Sequence, residues 1–102
     1  MSEVQLAFRD RFRDAMLAGR KTMTTRRHRA GQPGDTFTAF GETFTIIGVR
    51  SLYVGVVAAD YWEREGVASA DEFIAIWREL HPEAGWRPLE RVIVHEFRRV
   101  GA

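Results

Sequence analysis

The sequence predicts an α+β domain, a small curled sheet flanked by helices. Apolar periodicity switches between helical and strand spacing in the order helix, strand, loop, hairpin, two helices, strand. Strands do not alternate regularly with helices, which argues against a doubly wound sheet. The chain has 102 residues, 45% of them apolar, enough for one compact core and too few for two domains. Residues 1–102 therefore read as a single domain, with no repeat, low-complexity tract or linker to divide them.

Residues 8–18 read as an amphipathic helix. Phe8, Phe12, Ala15 and Met16 recur at helical spacing, and Gly19 suits a left-handed cap after it. The β-branched run Thr22-Met23-Thr24-Thr25 reads as a strand. Residues 27–35, with two glycines and a proline, read as a loop. Thr36 to Phe40 and Thr43 to Val49 both alternate, and Gly41-Glu42 is the expected turn between them. Phe37 and Ala39 then share a core face with Phe44 and Ile46. Gly48 marks a bulge or a close backbone approach. Val56 to Glu63 reads as a short helix. Ser69 and Glu72 form a capping box for a helix with the apolar stripe Phe73, Ile76, Trp77 and Leu80, stopped by Pro82. Residues 91–97 read as a final central strand.

Composition excludes several functions. The chain has no cysteine, so thiol catalysis, iron–sulfur sites and disulfide scaffolds are out. His28, His81 and His95 show no metal-ligand spacing, and neither a metal nor another cofactor is expected. The first twelve residues carry charge where a secretory apolar region would lie, and the longest stretch free of charge and strong polarity, 52–59, is too short to span a membrane. A cytoplasmic protein without a membrane partner is the expectation. The formal charge is +1, which gives little general attraction to nucleic acid. That sum hides a split: residues 1–50 carry +4 and residues 51–102 carry −3.

The basic residues include fourteen arginines and a single lysine, Lys21. It falls in residues 19–29, GRKTMTTRRHR, a segment with five basic side chains and no acid. Lysine can lose its proton when buried or crowded by cations, whereas arginine cannot. Arg20 and Arg26 are near enough in sequence to lower the Lys21 pKa. A neutral amine can act as base toward Thr22, Thr24 or Thr25. The blander reading is a solvated lysine beside an ordinary half-buried strand. The Gly-Arg-Lys-Thr run is no phosphate-binding P-loop, because Arg20 intervenes and the helix precedes it.

The run Leu17-Ala18-Gly19-Arg20-Lys21-Thr22-Met23-Thr24-Thr25-Arg26 resembles the G-x-K-T-x-T-x-R signature of ASCH domains. Pro33-Gly34-Asp35 resembles that family's turn before its hairpin. Glu65-Gly66-Val67, Ser69, Glu72-Phe73, Trp77 and His81-Pro82 resemble its later E-G-F…S…E-F…W…H-P stretch, with Val67 where an aromatic is usual. The resemblance covers nearly the whole chain. It implies a PUA-like fold, a small mixed β pseudo-barrel flanked by helices.

Among the short bacterial members of that family are the N(4)-acetylcytidine amidohydrolases, which the segment 8–26 resembles closely. Their catalytic lysine, threonine and glutamate fall on Lys21, Thr24 and Glu65, with Glu63 as the alternative acid. The resemblance implies Lys21 as base, Thr24 as nucleophile, and Glu65 orienting the exocyclic amine of an acylated cytidine. Arg26, Thr22, Arg20, Arg27, His28 and Tyr61 are the expected substrate contacts. The partner is then a nucleoside. The alternative is an RNA-binding module with weak ribonuclease activity, in which the basic loop 26–29 holds the phosphates of a single strand and Tyr61, Trp62 or Trp86 stacks on bases. A third reading is a domain that holds a small anionic metabolite. On a regular strand Lys21 would point away from Thr24. The amidohydrolase reading therefore requires Lys21 to sit in the turn after Gly19.

Overall fold

The computed structural model describes residues 2–101. A 3-10 turn, Asp10–Phe12, runs into the short helix α1, Arg13–Leu17. The strands are β1 (Met23–Arg26), β2 (Thr36–Ala39), β3 (Glu42–Tyr53) and β4 (Arg91–Arg99). Between β3 and β4 lie α2 (Val54–Asp60) and α3 (Ala70–Leu80). The strands form one antiparallel sheet in the order β1-β4-β3-β2. The result is the α+β arrangement expected, a curled half-barrel with helices against it.

The two faces of β4 feed two cores. Val92 and Val94 pack with Met23, Val54, Val57, Phe73 and Trp77 under α2 and α3. Phe97, on the other face by the two-residue period of a strand, packs with Leu6, Met16, Phe37, Phe44 and Ile46. The rings of Phe37, Phe44 and Phe97 stand 5.3–5.5 Å apart.

Several boundaries differ from expectation. The first helix does not begin at residue 8. Phe8 instead lies on the sheet, its ring 5.6 Å from that of Phe37, and the chain turns helical only from Asp10. The hairpin turn is Phe40-Gly41 rather than Gly41-Glu42, because Ala39 pairs with Glu42. Both turn residues have positive φ, +53° and +79°, which matches the turn to the twist of the flanking strands. The long strand β3 runs on past Val49 into α2, which therefore starts at Val54 and ends at Asp60. The last strand extends to Arg99, where its N-terminal neighbour on β3 is Phe44.

Gly48 does mark a bulge: Ile46 pairs with Phe97 and Gly48 with Glu96, which leaves Ile47 unpaired and exposed. The cap of α3 forms as a modified box. Ser69 Oγ accepts from Glu72 N at 3.1 Å, while the Glu72 carboxylate reaches back to Ala68 N at 3.1 Å.

Candidate active site

Edge strand β1 forms the centre of a cleft of about 680 Å³. Its walls are the N-terminal segment between Gln5 and Phe12, the basic loop 27–30, Glu65 and Val67, and the apolar face of α3 with His81 at its end. Phe8, Phe12, Val67, Ile76 and Trp77 make much of the lining apolar. Thr24, Thr25, Arg26, Arg27, His28 and Glu65 supply the polar groups.

Lys21 lies beneath this cleft, only 3% exposed. It precedes the β1 ladder and sits in the turn after Gly19, as the amidohydrolase reading requires. Gly19 has φ +80°, and the N–H groups of Arg20 and Lys21 both donate to Ala15 O, closing the end of α1. The Thr22 and Met23 amides then donate to Arg64 O at 2.8 and 3.1 Å, which ties β1 to the segment carrying Glu65. Gly66 makes the crossing possible. It has φ +85°, and a Cβ there would stand 2.7 Å from Lys21 Cβ.

Lys21 Nζ donates to Met23 O and Glu65 O at 2.8 Å each, and to Glu65 Oε1 at 3.4 Å. It also lies 4.4 Å from the centre of the Phe12 ring. Burial pushes the Lys21 pKa down; the Glu65 carboxylate opposes this, and Arg26 adds a small push in the same direction as burial. Desolvation is thus the main cause, and of the two arginines near in sequence only Arg26 contributes.

The two faces of β1 separate the hydroxyls. Thr25 Oγ1 donates to Glu65 Oε2 at 2.7 Å. Thr24 Oγ1 accepts from Arg26 Nε at 3.1 Å, while Arg26 Nη2 donates to Ala7 O and its guanidinium lies 5.0 Å from the Phe8 ring. Lys21 and Thr24 share no hydrogen bond among the described residues. Glu65 joins Lys21 to Thr25 instead.

Other sequence candidates fall in different places. Glu65 is buried at the cleft floor and Glu63 is exposed, which separates the two acids. Arg26, Arg27 and His28 line the cleft; Arg27 Nε donates to Glu90 Oε2 at 2.6 Å. Thr22, Arg20 and Tyr61 do not line it. The Thr22 hydroxyl accepts from Arg64 Nε, Arg20 is solvent-exposed, and the Tyr61 ring lies under the Arg50 guanidinium. His95 is fully buried against β1. Its Nε2 accepts from Ala30 N at 3.0 Å, which leaves Nδ1 to face Thr24 O at 3.4 Å as the protonated nitrogen. Its position directly after the apolar run Val92-Ile93-Val94 was the available signal. His81, also at the cleft, was marked only by the His81-Pro82 match in the ASCH-like stretch.

No family model matches the chain, and no curated protein matches it. Solved structures do. The crystal structure of hypothetical protein PH0355 superposes with a TM-score of 0.74 at 18% identity, covering 98% of this chain and 100% of that one. The ASCH domain from Lactobacillus crispatus JV V101 superposes with a TM-score of 0.69 at 16% identity, covering 97% and 79%. The chain has an ASCH-like fold. A third structure, protein EF3133 from Enterococcus faecalis V583, gives 0.66 at 18% identity over 97% of this chain and 78% of that one. At these identities the likeness establishes the ASCH-like fold alone. No helix of the described residues is long and apolar enough to cross a membrane.

Proposed function

We propose that this protein is an amide hydrolase that removes the acyl group from N(4)-acetylcytidine or a related acylated cytosine nucleoside. The observation that carries the reading is the buried Lys21–Glu65 pair at the floor of a small, largely apolar cleft, flanked by two threonine hydroxyls. A cleft of about 680 Å³ suits one small molecule rather than a length of nucleic acid. Glu65 reaches it directly, whereas Lys21 is screened beneath.

The pair is neutral overall whichever partner holds the proton. Burial lowers the cost of passing the proton from Lys21 to Glu65, so a form with neutral amine and neutral carboxyl is reachable from the ion pair. In the neutral form Lys21 keeps its two 2.8 Å bonds to carbonyls and gives up only the longer contact to Glu65. In this reading the substrate draws Thr24 toward the freed amine. Lys21 takes the Thr24 proton, the Thr24 oxygen bonds to the acyl carbon, and Arg26 stabilises the oxyanion. The carbon–nitrogen bond then breaks and Glu65 gives its proton to the departing exocyclic amine. Water hydrolyses the acyl-threonine, regenerating Thr24 and releasing the carboxylic acid, and the proton on Lys21 passes back to Glu65 within the pair.

Incubation with N(4)-acetylcytidine should release cytidine, and Lys21→Ala and Thr24→Val should each abolish the release. No turnover by the unsubstituted protein at high concentration would sink the reading.

The second reading, RNA binding, has one observation in its favour: Arg27, His28 and Arg29 are exposed together at the cleft mouth. It calls for affinity that falls steeply with salt, with a slope flattened in Arg27→Ala/Arg29→Ala.

A further inference from the structure

Glu65 is held at both carboxylate oxygens. Oε1 meets Lys21 Nζ at 3.4 Å and Oε2 accepts from Thr25 Oγ1 at 2.7 Å. The second is the shorter bond, in the range of a hydroxyl donating to a charged oxygen. The two contacts differ in where they lie. Lys21 is beneath the floor, but Thr25 and Glu65 both open onto the cleft. Thr25 has Met23 as its neighbour on the same strand face, and Met23 is fully buried in the core under α3. The hydroxyl therefore stands on a strand whose position is fixed by packing. A carboxylate on a flexible side chain gains its direction from such a donor, because each hydroxyl proton can serve only one acceptor at a time.

We infer that Thr25 is a positioning residue for Glu65, its hydroxyl fixing the direction in which the carboxyl group meets the exocyclic nitrogen of the ligand. This rests on the amidohydrolase reading above. The bond strengthens as Glu65 gives up its proton and becomes an anion, since a charged acceptor binds a hydroxyl more strongly than a neutral one. It therefore acts at the bond-breaking step more than on binding. Thr24, one residue earlier, does not take this place: its oxygen accepts from Arg26 Nε, and no hydrogen bond joins it to Glu65 among the described residues.

A structural role for Thr25 and a positioning role predict opposite orders for two variants. Thr25→Val keeps the shape and removes the hydroxyl; Thr25→Ser keeps the hydroxyl and removes a methyl. Steady-state kinetics on N(4)-acetylcytidine should show kcat reduced roughly ten- to hundredfold in Thr25→Val, as expected for loss of a hydrogen bond to a charged group. KM should stay within about twofold, and Thr25→Ser should retain kcat within about threefold of the unsubstituted protein. If Thr25→Val does not fold, Thr25→Ala gives the same comparison. Unchanged kcat in the variant lacking the hydroxyl, or Thr25→Ser impaired as badly as Thr25→Val, overturns the inference and leaves the amidohydrolase reading standing. No turnover by the unsubstituted protein overturns that reading itself, and the inference with it.

Discussion

The two faces of β1 carry neighbouring threonines into different electrostatic settings. On one face Thr25 gives its proton to a buried carboxylate that is balanced by a buried ammonium. On the other, Thr24 accepts from a guanidinium that is itself braced on a backbone carbonyl, and its own carbonyl faces a buried histidine. The first face depends on charge compensation out of water. The second depends on arginine and on neutral hydrogen-bonding groups. The same residue type thus serves as donor to an anion and as acceptor from a cation one residue apart, because strand geometry turns successive side chains to opposite sides.

Removing one charge is the largest way to break that contrast. Lys21→Met leaves Glu65 buried without its counter-charge, and unfolding by denaturant should show a loss of about 3–5 kcal/mol. Adding Glu65→Leu should restore most of it, because a buried pair replaced by apolar groups of similar volume is close to neutral. On the other face Thr24→Val should cost only about 1 kcal/mol, since Arg26 keeps its bond to Ala7 O. Equal losses for Lys21→Met and Thr24→Val would remove the distinction between the faces.

Backbone access to the pair gives the next effect. Gly19 and Gly66 have nearly the same φ, +80° and +85°, so an alanine at either incurs similar backbone strain of about 1–3 kcal/mol. They differ in surroundings. An alanine Cβ at position 19 meets nothing within 4 Å, whereas at position 66 it meets Lys21 Cβ at 2.7 Å and Ala15 Cβ at 3.2 Å. Gly66→Ala should be the more destabilising in thermal unfolding, and it should lower turnover by shifting Lys21. If the two variants melt alike, the close passage of Lys21 under Gly66 is not maintained in solution.

Much of this arrangement was legible in the residues. Alternation placed Phe37, Ala39, Phe44 and Ile46 on one face of the hairpin, and all four are buried together. The lone lysine in an arginine-rich chain points to position 21, which is buried. What periodicity could not supply was depth. A strand pattern says that Thr24 and Thr25 face opposite ways, but not that β1 is an edge strand with the cleft open to both. Nor does it say that Glu65, forty residues on, returns to Thr25 rather than to Thr24. That partner choice follows from the positive φ at Gly66 and from the bonds of Arg64 O to β1, which are tertiary facts. Phe8 misled for a related reason: its spacing to Phe12 is helical, but stacking on Phe37 holds it out of the helix.

The smallest effect concerns the Thr24 face and is read in pH. His95 bridges Ala30 N and Thr24 O only as the neutral ring with its proton on Nδ1. Its pKa lies below the ordinary 6.5, chiefly through burial, with Arg26 and Arg29 adding to the push and the Thr24 carbonyl opposing it. Between the folded value and 6.5 the unfolded chain binds more protons than the folded one. Stability therefore falls as pH drops below about 6.5, by at most about 1.4 kcal/mol per pH unit for this group, and the loss is complete below the folded value. His81 is also held low by burial and adds to the same slope. Asp35 does not, because its carboxyl, held down by the Gln32 and Ser2 amides, begins to lose stability only below its ordinary 3.8. The replacement His95→Gln keeps one donor and one acceptor and cannot titrate. Denaturant unfolding between pH 4 and 6.5 should then show a shallower slope in His95→Gln than in the unsubstituted protein. An identical slope would mean that protonating His95 does not oppose folding. The bridge from β1 to the basic loop would then have to tolerate a charged ring, which two facing donors, Nε2–H and Ala30 N–H, do not allow.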